Sequence, residues 1–115
     1  MYVLEYVTHF DAAHHLPDHP HCGGIHGHRW EVKIRIETQF LIKGFVMDFK
    51  KLSSLVNKLD HPGVELNEFV EYPSCENISR YLYDQIKEKI TQPFFELKVT
   101  VKESPESSIT YHEEK

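Results

Sequence analysis

Residues 26–37, HGHRWEVKIRIE, decide the fold. From Arg29 onward apolar and charged residues alternate; the apolar set is Trp30, Val32, Ile34 and Ile36, and the charged set is Glu31, Lys33, Arg35 and Glu37. A period of two predicts a strand with one face in a core and the other in solvent. His26 and His28 continue the apolar parity at the mouth of this strand, so both rings are expected on its apolar side.

Similar periodicities predict the other elements. Residues 2–14 alternate as a first strand, and the segment Leu16–Gly24 is a loop because it contains Pro, Gly and Asp. Asp48 is the expected N-cap of a helix with apolar residues at 49, 52, 55, 56 and 59, and Pro73-Ser74 opens a second helix with a stripe at 78, 82, 86 and 90. Strands are expected over 97–102 and 109–111. The order ββααββ predicts an α+β fold, a four-stranded antiparallel sheet with two helices on one face.

Size and composition favour one domain over residues 1–115. The chain has 115 residues, 40% of them hydrophobic, and a formal net charge of -5. This charge argues against nucleic-acid or anionic-membrane partners, which favour a basic excess. The start MYVLEYVTHF lacks a basic region and a long apolar run, and two cysteines make no disulfide framework, so we expect a cytoplasmic protein.

Histidine is the compositional outlier. Six of the nine histidines lie between residues 14 and 28. On the first strand His14 shares parity with Phe10 and Ala12, whereas His15 points the other way. The pattern therefore predicts a metal site of His14, His26 and His28, the three-imidazole set of catalytic zinc centres, with an open coordination position. Cys22 as a fourth ligand, giving a closed structural site, stays open on spacing alone.

Other candidate residues have ordinary explanations as well. Asp60-His61 stands at a helix end beside a Pro-Gly turn, where a solvated pair is common. Glu103 shares parity with Val99 and Val101, so this carboxylate on the apolar face needs a charged or donor-rich partner. That partner is either a basic side chain or a ligand such as a pterin, whose ring N–H and amino group match a carboxylate bidentately.

Four strands are too few to close into a barrel, so two sheet edges are expected to be exposed. Long alternating edges are usually paired or covered. Edge-to-edge association of several copies is therefore expected.

Taken together, the motifs resemble the 6-pyruvoyltetrahydropterin synthase/6-carboxytetrahydropterin synthase family along nearly the whole chain. The resemblance rests on these segments: Phe10-Asp11-Ala12-Ala13-His14, Cys22 with three residues before His26-Gly27-His28, Leu59-Asp60-His61, Pro73-Ser74-Cys75-Glu76-Asn77 and Val101-Lys102-Glu103-Ser104. It implies the tunnelling fold, in which three subunits join their sheets into a barrel and two trimers stack into a hexamer. The short spacing from Cys22 to His26 is similar to the bacterial 6-carboxytetrahydropterin synthases of queuosine biosynthesis.

The resemblance also implies an activity and a set of roles. The reaction is conversion of 7,8-dihydroneopterin triphosphate to 6-carboxytetrahydropterin, with loss of acetaldehyde and triphosphate. His14, His26 and His28 hold Zn²⁺, which acts as a Lewis acid on the substrate's hydroxyls. Cys22 is the general base, and Asp60 and His61, from a neighbouring subunit, relay protons with it. Glu103 anchors the pterin ring, with Ser74 and Cys75 beside it, where the family commonly has Thr followed by a small residue.

Two rival functions stay open. One is a pyruvoyl-forming synthase or an aldolase-like relative acting on dihydroneopterin. The other is a non-catalytic zinc-binding oligomer with Cys22 in the metal shell.

Overall fold

The computed structural model describes residues 1–20, 23–61 and 63–114. Its main elements are β1 (Tyr2–His14), β2 (His26–Thr38), α1 (Phe49–Asn57), α2 (Cys75–Lys87), β3 (Glu96–Ser104) and β4 (Ser107–His112). A single 3-10 turn, Leu66–Glu68, lies between the helices. The strands form one antiparallel sheet in the order β1-β2-β3-β4. The predicted α+β fold with ββααββ order is confirmed.

Element ends differ from the predicted ones by a few residues. The helix α1 stops at Asn57 and α2 at Lys87, although the apolar stripes continue to Leu59 and Ile90. Both of these side chains are still buried, because the turns that follow the helices keep them against the core. The strand β2 begins at His26, so the two histidines of its mouth belong to the strand itself.

The pairing of β1 with β2 sets the geometry of the site. Thirteen consecutive residue pairs run from Tyr2 opposite Thr38 to His14 opposite His26, without a shift in register. A one-residue slip would turn every side chain of a strand to the other face. The unbroken register therefore fixes which histidines share a face with the core.

Both helices pack on the apolar face of the sheet. Their fully buried residues include Leu52, Val56, Ile78, Leu82 and Ile86, which join Val32, Ile34 and Val99 of the sheet in one core. The predicted N-cap Asp48 is present, and Ser74, at the predicted start of the second helix, is the N-cap there. Asp48 accepts from the Lys50 N–H at 2.9 Å, and Ser74 accepts from the Asn77 N–H at 3.2 Å, so each side chain satisfies an otherwise unpaired amide.

The opposite face of the sheet is polar, and its two outer strands are β1 and β4. Cross-strand ion pairs line this face, among them Lys33 with Glu5 and Lys102 with Glu31. Neither helix in the described ranges has the length and apolar character needed to cross a membrane.

Candidate functional site

Three histidine rings converge where β1 ends and β2 begins. The ring centroids of His14 and His26 lie 4.5 Å apart, those of His14 and His28 5.1 Å, and those of His26 and His28 4.6 Å. One ligand nitrogen from each of the three falls within 4.8 Å of the others. The structure thus brings together the three residues that the parity argument selected.

Hydrogen bonds aim two of the rings at a common point. The Nδ1 atom of His14 donates to the Pro73 carbonyl at 2.8 Å, and Nδ1 of His26 donates to the Gly24 carbonyl at 2.8 Å. In neutral rings this leaves both Nε2 atoms unprotonated, and they face each other at 2.9 Å. Two lone pairs at this distance repel unless a cation or a proton lies between them. The two Nε2 atoms therefore fit a metal ion. In many metal sites the other ring nitrogen of a ligand histidine donates to a backbone carbonyl, as Nδ1 of His14 and His26 does here.

Burial favours, for two of the three histidines, the neutral form that a metal needs. Desolvation lowers the pKa of the fully buried His14, and the hydrogen bond to Pro73 opposes this only in part. Desolvation also lowers the pKa of His28, against the attraction of Glu103. Neutral imidazole is the ligand form, so these shifts favour metal binding over protonation.

Trp30 forms the apolar floor of the cluster. Its ring lies edge-on to those of His14 and His28, with centroid separations of 4.8 and 5.2 Å, and its Nε1–H donates to the Ala12 carbonyl at 3.2 Å. The sequence pattern placed Trp30 on this face as a core residue. Its contact with the histidines follows from the shared parity.

His15 lies apart from the cluster, as the parity argument expects. Its ring Nδ1 pairs with the Glu65 carboxylate, and its backbone bonds to the side chain of Asn67. Cys22, the expected general base, lies outside the described residues, so its role stays a prediction.

Asp60 and His61 lie at the outer edge of β1 in the same chain. The Asp11 N–H donates to Asp60 Oδ1 at 2.8 Å, and the His61 N–H donates to the Asp11 carbonyl at 2.8 Å. The ring Nδ1 of His61 lies 3.2 Å from Asp60 Oδ1. The hydrogen bond from the Asp11 amide, followed by that from His61, lowers the pKa of Asp60. An ionised carboxylate that orients an exposed imidazole is a competent proton-transfer pair.

A cleft of about 730 Å³ joins this pair to the histidine cluster, since both His28 and His61 line it. A second cleft of about 540 Å³ is lined by Glu103, Ser104, His9 and Lys102. Arg29 lines both clefts and holds Asp11 through its Nε at 3.0 Å, so the two spaces adjoin. Asp11 was not assigned a role in the site from the sequence, because its charge matches the ordinary solvent face of a strand.

Glu103, Ser74 and Cys75 lie on the other side of the cluster. Oε2 of Glu103 lies 3.7 Å from Nε2 of His28, so this carboxylate faces the histidine cluster at a distance too long for a hydrogen bond. The Ser74 hydroxyl is occupied as the N-cap of α2. Cys75 is a free, half-buried thiol next to the Glu103 backbone; burial, together with the Glu103 charge, raises its pKa to about 11. Cys75 is therefore a neutral group at physiological pH.

A sequence model of the family described as 6-pyruvoyl tetrahydropterin synthase matches residues 4–114. The chain belongs to the 6-pyruvoyl tetrahydropterin synthase family. It is 41% identical over 91 residues to an Archaeoglobus fulgidus protein provisionally named a 6-carboxy-5,6,7,8-tetrahydropterin synthase, covering 76% of this chain and 77% of the relative. It is 33% identical over 89 residues to the dihydroneopterin monophosphate aldolase of Pyrococcus furiosus, covering 74% of this chain and 75% of that enzyme.

The fold is shared with solved structures of the family. The 6-pyruvoyl tetrahydropterin synthase of Caenorhabditis elegans superposes with a TM-score of 0.77 at 24% identity, over 98% of this chain and 96% of that one. Membership in the family makes the chain an enzyme of pterin chemistry.

Proposed function

We propose that the protein is a zinc-dependent 6-carboxytetrahydropterin synthase. It would convert 7,8-dihydroneopterin triphosphate and one water into 6-carboxytetrahydropterin, acetaldehyde and triphosphate, a reaction of queuosine biosynthesis. The observation that carries the proposal is the position of the Glu103 carboxylate, 3.7 Å from His28, beside three imidazoles with a common focus. One site thus offers a metal centre and an acceptor for a pterin ring.

Zinc is the proposed ion because three neutral imidazoles are a typical catalytic zinc set. The ligands would be His14, His26 and His28, which leave one coordination position for substrate oxygen. When bound, zinc would supply Lewis acidity at the substrate's side-chain hydroxyls.

The remaining roles follow from position and charge. Glu103 would accept the ring N–H and the amino group of the pterin, a bidentate contact strengthened by the charge on the carboxylate. Ser74 and Cys75 flank it, and the neutral Cys75 thiol adds no second charge there. Asp60 and His61 would transfer protons with Cys22, the proposed general base. The two clefts adjoin at Arg29, which gives room for a substrate with a long anionic side chain.

We also propose that the chain assembles as a hexamer of two stacked trimers. Both outer strands, β1 and β4, are long enough to pair with another copy, and joined sheets would remove the open edges. Light scattering should report six chains per particle; a stable monomer at micromolar concentration would contradict the assembly.

The 41% identity with the Archaeoglobus relative supports the carboxy-forming reaction, as does the short spacing between Cys22 and His26. A second candidate is aldolase activity on a dihydroneopterin phosphate, which the 33% identity with the Pyrococcus aldolase favours. A pyruvoyl-forming reaction is the third alternative.

Products distinguish the three reactions. The zinc-loaded protein would be incubated with 7,8-dihydroneopterin triphosphate, and the mixture analysed by mass spectrometry. The proposed synthase releases both acetaldehyde and free triphosphate. A pyruvoyl-forming enzyme releases triphosphate but keeps all three side-chain carbons, so acetaldehyde is absent. Retro-aldol cleavage leaves the phosphates on the released fragment, so free triphosphate is absent.

A further inference from the structure

Within the described residues, the pairing of β1 with another strand ends at His14, a proposed metal ligand. His14 is the last residue of β1 and pairs with His26, the first residue of β2. Residue 15 therefore has no opposite residue among the sheet residues that the structure describes. Strand ends without a partner fray readily, and such fraying would move the His14 backbone.

The Asn67 side chain binds the backbone of His15 at the outer edge of β1, the edge that faces away from β2. Its Oδ1 accepts from the His15 N–H at 3.1 Å, and its Nδ2 donates to the His15 carbonyl at 2.9 Å. An antiparallel partner residue makes the same pair of bonds, one accepted and one donated. Asn67 thus fixes the residue that follows His14, on the same edge of β1 where Asp60 and His61 bind Asp11.

This amide is itself firmly held. Asn67 lies in the turn Leu66–Glu68, and its neighbour Leu66 is fully buried in the core. On the other side of Leu66, the Glu65 carboxylate binds the His15 ring. Further back, Asp60 and His61 bind the backbone of Asp11. The connection between α1 and α2 therefore binds the outer edge of β1 at two places, at Asp11 before His14 and at His15 after it.

We propose that Asn67 is a positioning residue of the metal centre: its two hydrogen bonds to the His15 backbone hold His14 in the place where its Nε2 meets those of His26 and His28. This role rests on the zinc site of the proposed function. Pro73 orients the ring of His14, and Asn67 fixes the backbone from which that ring projects. Neither contact replaces the other.

The test measures zinc affinity apart from activity. Apoprotein prepared with a chelator would be titrated with Zn²⁺ in competition with a chromophoric chelator. Asn67→Ala should weaken zinc binding about tenfold, the lower end of the usual cost of losing an outer-shell partner. Asn67→Ser, which is too short to span both groups, should do the same and serves if the alanine variant folds poorly. The Co²⁺-loaded variants should also show an altered visible spectrum.

Asn57→Ala is the matched control, because the Asn57 side chain is an exposed amide on α1 that donates to the Ser53 hydroxyl at 3.3 Å. It should bind zinc as the wild type does. If the Asn67 variants lose apoprotein stability but keep the wild-type Kd and spectrum, Asn67 merely supports the turn and the proposal is wrong. If the wild type itself binds no zinc, the proposed function fails first, and this role with it.

Discussion

The site has a strand-borne part and a loop-borne part, and the two are held in different ways. The proposed metal ligands lie on β1 and β2, where thirteen consecutive pairs fix their relative positions. Asp60, His61, Asn67 and Pro73 lie in the connection between α1 and α2 and reach the strands through a few hydrogen bonds. His61 also adopts a left-handed backbone with φ of 44°, a conformation that costs a non-glycine residue energy. In the proposed mechanism the sheet therefore fixes the positions of the metal ligands, and the loop supplies the groups proposed to act on the substrate.

The largest effect should come from breaking the strand-borne part. His14→Ala removes one of three metal ligands and should abolish zinc binding, whereas His15→Ala should leave it intact because the His15 ring faces Glu65. Metal analysis of the two purified variants checks this. Zinc retained by His14→Ala and lost by His15→Ala would show that the strand faces have been misassigned.

A change at Cys22 separates the catalytic role from the structural one. If Cys22 is a base outside the metal shell, Cys22→Ala should lower turnover by a factor of about 100 to 10,000 and keep zinc and the oligomer. Turnover, metal content and melting temperature would be measured on the same sample. A residual rate within about tenfold of wild type argues against the base, and joint loss of zinc and stability argues for a fourth ligand.

A milder change addresses the loop-borne part alone. Asp60→Asn keeps an oxygen for the Asp11 amide but removes the charge that orients His61. We expect kcat to fall roughly 100-fold, the lower end of the range for acid–base groups, with the zinc affinity unchanged. Glu68→Gln makes the same chemical change at an exposed position of the neighbouring 3-10 turn and should leave kcat unaltered. Equal rates in the two variants would remove Asp60 from the proposed proton transfer.

The smallest effect concerns the start of α2. Ser74→Ala removes the N-cap and should lower the free energy of unfolding by about 1 kcal/mol in urea titrations. Ser54→Ala, within α1, should cost nothing because alanine suits a helix interior. If Ser74→Ala unfolds at the same urea concentration as the wild type, the hydrogen bond from Asn77 to the Ser74 hydroxyl does not stabilise the protein and the prediction is wrong.

The sequence predicted the strand-borne part well, because the alternation of residues along each strand is enough to assign its side chains to the two faces of the sheet. Alternation along β2 and β1 places Trp30, His26 and His14 on one face without knowledge of distant contacts. The ends of the helices were less predictable, since Leu59 and Ile90 stay buried in turns after the helical hydrogen bonds have ended.

The loop-borne contacts could not be read from the sequence. The Pro73 carbonyl that orients His14 is a backbone group, which leaves no signature in side-chain type. Asn67 meets His15 across 52 positions of the chain, and nothing in the spacing of the two residues indicates it. Such contacts depend on how the connection folds back over the sheet edge.

The central claim is an open zinc site held by strand register, and anomalous diffraction at the zinc edge from crystals of the zinc-loaded protein tests it most directly. The account predicts one peak per subunit, about 2.0–2.1 Å from the Nε2 atoms of His14, His26 and His28, with a non-protein ligand in the fourth position. Absence of the peak, coordination by His15, or a bond of about 2.3 Å to the Cys22 sulfur would contradict it.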